Sequence, residues 1–180
     1  MTTSLILVLC AITIFIVYNS VAIAKFGIPK SLSDTFYYYQ GIKKGLGYIF
    51  TAMMFSMAGL LMPGWLTISD SMPGWEHNFT FLAFFAAGAI AFVGAAPAFK
   101  NIGIERKVHM IAAKSAAVFA IAWCAVVCWR IMYIIPISIG IIWLTAWFTK
   151  THKTCSDYWW EMAAFLATFT TILAQCLILL

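Results

Sequence analysis

Lys114 and Glu161 are the residues best placed to do chemistry in this chain, because each interrupts a long apolar run, at about 108–129 and 158–180. An ionisable group inside such a run costs several kcal/mol unless it is paired or meets water, which makes it a functional candidate by default. Three outcomes are open to the pair. Lys114 can attract an anion, Lys114 and Glu161 can join two helices as an ion pair, or the Lys114 ammonium can reach the membrane rim along its stem. Ser115 places a hydroxyl beside Lys114. Asn19 puts an amide near the end of another apolar run, about 5–24, where it can hydrogen-bond to a neighbouring helix. Asn19, Lys114, Ser115 and Glu161 therefore form the candidate lipid-contacting or cavity-lining set. A second group sits in polar connections: Ser31, Ser33 and Asp34 after the first run, His109 at the mouth of the fourth, and His152 in Thr-His-Lys-Thr-Cys-Ser-Asp. On their own, Asp34 reads as a helix cap, His109 as a rim residue bonded to a loop carbonyl, and His152 as solvated.

The elements that must position these groups follow from composition. The 180 residues are 64% hydrophobic and 9% charged, against roughly 45–50% and 25% in soluble domains. Runs of about 20 apolar residues match a bilayer core of about 30 Å. The expected fold is an all-α, polytopic integral membrane bundle of six transmembrane helices, at about 5–24, 46–61, 79–99, 108–129, 131–148 and 158–180. It forms one domain over 1–180, with no soluble domain. The run at 5–24 is expected to be a retained span, since no positive charge precedes it as in a signal peptide. Met62-Pro63-Gly64-Trp65 recurs as Met72-Pro73-Gly74-Trp75, which predicts two turns flanking one loop. Pro97 is expected to end the third span and Pro136 to kink the fifth. Alanines recur at every fourth position, at 83, 87, 91 and 95 and again at 112, 116 and 120. Such stripes let helices approach closely in a bilayer.

Charge placement predicts orientation. The connection after the first run carries four Lys or Arg, that after the third three and that after the fifth two; those after the second and fourth carry none and one. By the positive-inside rule the odd connections face the cytoplasm and both termini lie on the other side of a cytoplasmic or comparable membrane. Nearly all the polar candidates then fall at the inner rim or in the inner half. The net charge of +5 belongs to these loops and does not indicate nucleic-acid binding. Five cysteines show no CxxC or Cys/His metal spacing, and most fall in apolar runs as packing residues.

Three short motifs occur in order: Pro29-Lys30-Ser31-Leu32-Ser33-Asp34-Thr35, then G-x-x-x-F-V-G-A-A-P-A-F over 88–99, then Val108-His109-Met110-Ile111-Ala112-Ala113 after a basic hinge. This arrangement resembles small six-span proteins of the FRAG/DRAM/Sfk type, within the broader CREST superfamily of alkaline ceramidases and progestin/adiponectin-type receptors. The likeness covers about half the chain. It implies, by analogy with the catalytic members, a metal-dependent lipid amide or ester hydrolase. Ser31 or Ser33 and Asp34 would be the catalytic positions, and Asp34, His109 and His152 would hold a zinc ion. The sequence departs from that pattern in its last apolar run, which contains no histidine, so the HxxxH of the family is absent.

Three function classes remain. One is a non-catalytic bundle that binds membrane lipids, another membrane protein or a second copy of itself, with a cytoplasm-facing polar cluster. The second is the zinc-dependent hydrolase; apart from it no cofactor is implied. The third is a small transporter or channel, for which the outer half offers no polar path and the halves show no inverted repeat.

Overall fold

The computed structural model describes residues 2–97, 100 and 103–180. Among the described residues seven α-helices follow one another: α1 (Thr2–Phe26), α2 (Asp34–Ile42), α3 (Tyr48–Ser71), α4 (Phe81–Ala95), α5 (Ile104–Val127), α6 (Ile134–Phe148) and α7 (Ser156–Ile178). Single 3-10 turns at Trp75–Phe79 and Trp129–Ile131 precede α4 and α6. There is no strand among the described residues. Five segments of the described residues are long and apolar enough to cross a membrane: α1, α3, α5, α7, and α4 taken with its preceding 3-10 turn. The sixth apolar helix, α6, has 15 residues, about 22 Å of rise.

Helices α1, α3, α4, α5 and α7 pack in that order around a shared interior, α7 returns to α1, and α6 lies against α7. Hydrogen bonds define the two ends. At one end the α1–α2 connection meets α7 and the α4–α5 connection. At the other the Trp129 indole N–H donates to Glu76 Oε1 (3.0 Å), joining the α5–α6 and α3–α4 connections. Helix α6 runs between the ends. It leaves Trp129–Ile131 beside Glu76 and arrives at Thr151, which accepts from the Trp159 N–H at the start of α7 (2.9 Å).

Several boundaries differ from the expected ones, each for a local reason. The first Met-Pro-Gly-Trp is not a turn, because α3 runs through it to Ser71 and only the second copy breaks the chain. Pro63 lacks the N–H that a helix interior uses, a loss tolerated in apolar helices when neighbours resatisfy the backbone. The Thr67 hydroxyl donates to the Pro63 carbonyl (2.8 Å). Gly64 serves packing rather than turning: a Cβ there would lie 2.6 Å from Val8 Cγ2 of α1. Pro136 does not kink α6. It falls in the first turn, after Ile134 and Ile135, where no intrahelical acceptor is lost. The expected end of the third span lies partly beyond what is described, since α4 ends at Ala95 and residues 98–99, like 101–102 of the basic hinge, lie outside the described residues.

The two alanine stripes behave differently. On α4, Ala83, Ala86 and Ala87 are buried, and Gly94 lets α3 approach until an added Cβ would meet Met54 Cβ at 2.9 Å. On α5, Ala112 and Ala120 are buried, but Ala113, Ala116 and Ala117 border open space. Small residues permit close approach without enforcing it.

Candidate functional site

The connection between α1 and α2 folds as a strap over one end of the bundle. Its anchors come from four places. The Leu32 N–H donates to Glu161 Oε2 (2.6 Å), and the Tyr158 N–H donates to the Lys30 carbonyl (2.9 Å), which ties the strap to the first turn of α7. The Thr35 hydroxyl donates to the Leu32 carbonyl (2.6 Å) and shares a hydrogen bond with the Tyr18 hydroxyl of α1. Asp34, buried at the start of α2, forms an ion pair with Lys100 of the α4–α5 connection. The Lys100 ammonium also lies over the Tyr37 ring, 4.6 Å from its centre, while the Lys100 backbone N–H donates to the Tyr37 hydroxyl (2.7 Å).

Each sequence-derived candidate has a definite place. Ser31 takes the capping role: its Oγ accepts from the Asp34 N–H and donates to Asp34 Oδ2, both 3.2 Å. Ser33 stands at the N-cap position of α2 without a side-chain capping bond. Asp34 is thus an ion-pair partner rather than a cap. His109 is buried, with Nδ1 2.8 Å from the Ala96 carbonyl, closing the connection between α4 and α5. His152 is half-buried in the α6–α7 connection. Asn19 donates to the Phe15 carbonyl (2.9 Å) and accepts from the Tyr158 hydroxyl (3.4 Å), so it bridges α1 and α7. Lys114 is exposed on the outer face of α5 with Ser115 partly exposed beside it. Lys114 does not pair with Glu161, whose partner is the strap backbone.

Among the described residues no three His, Cys, Asp or Glu side chains converge to hold an ion. Asp34 is committed to Lys100 and Ser31, and His109 Nδ1 to a carbonyl.

What the fold does enclose is a cavity under the strap, walled by α3, α4, α5 and α7. Its volume is about 60 Å³. The floor is Leu32 and Ser33 of the strap with Glu161 of α7; the walls are apolar, with Ala113, Ala116 and Ala117 of α5 lining one side. Along α7 the lining runs from Glu161 to Thr168, about 10 Å of helix rise. Trp65 borders it from α3, fully buried, and its indole N–H has no acceptor among the described residues. The neighbouring Trp123, 6.1 Å away ring to ring, does have one, the Ser69 hydroxyl at 3.0 Å. The sequence singled out Glu161 but missed Trp65 and the strap backbone. Alanines at 113, 116, 117 and 120, spaced as one helical face, were the available signal for the cavity wall.

No protein-family model, curated protein or solved structure matches this chain.

Proposed function

We propose that this chain is a six-span membrane protein that acts without chemistry of its own, taking up a lipid between its helices while its polar strap faces the cytoplasm. The observation that carries this reading is the cavity itself: apolar walls of small residues closed at one end by a carboxylate, a hydroxyl and backbone. That division of an apolar body from a polar end is the shape of an amphiphile, and ligand sites between bundle helices commonly combine apolar walls with a few placed polar groups. Two features support the orientation. Lys and Arg concentrate in the connections at the strap end, and those connections are expected to face the cytoplasm. Lys114, exposed on α5, is free to carry its ammonium to the same rim. For α6, the end-to-end path and the unbroken apolar run from 131 to 148 support a sixth crossing despite its short helix, since a short span is accommodated by thinning the bilayer locally.

Native mass spectrometry of the protein released from detergent tests the reading. The wild type should carry one lipid per chain that survives extensive washing. Ala116→Leu with Ala117→Leu, which fills the cavity from α5, should carry none while remaining folded. A wild type that emerges free of lipid, or a filled variant that keeps its lipid, would remove the proposal.

A further inference from the structure

The cavity has a direction, and its polar groups differ at the two ends. At the strap end, Glu161 uses Oε2 to accept from the Leu32 N–H. Its other oxygen takes no described hydrogen bond and is not sealed from the surrounding space. The Ser33 hydroxyl borders the same end and makes no capping bond. No Lys, Arg or His lines the cavity: Lys100 pairs with Asp34, and Lys114 is exposed on α5. The strap end therefore presents an oxygen acceptor, which favours a head that donates hydrogen bonds over an anionic head that only accepts them. Trp65, by contrast, brings a fully buried donor with no acceptor to the wall of α3, a group that gains a partner only if an oxygen is brought to it.

Resting on the lipid-binding reading above, we infer that the cavity is selective for a single-chain amphiphile whose head donates hydrogen bonds, an amine or an alcohol, and rejects a fatty-acid anion. The head sits against Glu161 and Ser33 under the strap, and the chain runs outward along Ala113, Ala116 and Ala117 of α5 towards Trp65. An alkyl chain suits this wall because the alanines leave width for it, whereas the fully buried Phe50 and Leu61 of α3 close the opposite side.

The test uses three photoreactive probes of one chain length, hexadecylamine, hexadecanol and hexadecanoate, each with a diazirine in the chain. The full-length protein is held in lipid nanodiscs, and cross-linked peptides are mapped. Labelling of the cavity wall (Ala113, Ala116, Ala117) is divided by labelling of the exposed α6 positions Ile137 and Leu144, which corrects for partitioning of each probe into the bilayer. The amine and alcohol should give a ratio about tenfold above that of the acid, the order of one hydrogen bond gained or lost. Glu161→Gln keeps an acceptor for Leu32 but replaces the free oxygen with an amide donor, and should lower the amine ratio about tenfold. Ala117→Leu leaves every polar group in place and should abolish interior labelling by all three probes. Equal ratios for acid and amine, or an amine ratio unmoved by Glu161→Gln in folded protein, would overturn the selectivity while leaving lipid binding intact. Interior labelling by none of the probes would overturn both, as would interior labelling that persists in Ala117→Leu.

Discussion

Trp65 and Trp123 offer a matched pair, because both are fully buried, their rings are neighbours, and only one indole N–H has an acceptor. Replacing either by Phe removes the same atoms and leaves a similar void, so the void contribution largely cancels between the two variants. What differs is the N–H. Trp123→Phe loses a hydrogen bond worth about 1 kcal/mol and strands the buried Ser69 hydroxyl. Trp65→Phe instead deletes a donor whose burial without a partner costs about 1–3 kcal/mol. The lipid-free Trp65→Phe protein should therefore be more stable than Trp123→Phe by about 2–4 kcal/mol. The measurement is reversible unfolding in mixed detergent micelles, followed by far-ultraviolet circular dichroism so that loss of a tryptophan does not bias the signal. Equal stabilities would refute the reasoning and mean that the Trp65 N–H is satisfied in the folded protein.

Three further outcomes follow from the packing. Gly64→Ala should cost about 1–3 kcal/mol by overpacking against Val8, and Val8→Ala in the same chain should restore part of it; a strictly additive double variant in the same unfolding assay would speak against the close α1–α3 approach. Lys100→Ala should destabilise more than Asp34→Asn, because the first strands a buried charge and the second removes it; thermal aggregation in detergent ranks the two, and the reverse order would contradict the ion pair's role in holding the strap. Pro136→Ala should shift stability by less than about 1 kcal/mol, as expected for a first-turn proline; a large change would mean that Pro136 bends α6 after all.

The sequence made the helices legible where hydrophobicity is continuous and misled where proline stands inside an apolar run. Length and hydropathy located all six apolar helices, because a helix needs only its own residues to satisfy its backbone in an apolar medium. The identical Met-Pro-Gly-Trp copies show the limit of local chemistry. The copy at 62–65 is helical because Val8 packs on Gly64 and α3 continues, while the copy at 72–75 ends the helix, its Met72 already extended. Nothing inside the four residues distinguishes them. Glu161 was visible as a costly group in a span, but its partner was not, since the Leu32 backbone N–H is 129 residues away in sequence and every residue carries such a donor. Lys114 had the right charge to attract attention and the wrong face of α5 to meet Glu161.

The reading of the molecule stands most directly on whether α6 crosses the bilayer, because that decides whether the strap and both ends of the chain lie where the cavity's polar floor requires. Short epitope tags at the two termini, probed with antibody on intact and then permeabilised cells, answer it. Both tags should be accessible on intact cells, with a third tag inserted between Lys43 and Lys44 accessible only after permeabilisation. Tags on opposite sides of the membrane would show five crossings and contradict the six-span arrangement, and a loop tag accessible from outside would place the strap on the wrong face.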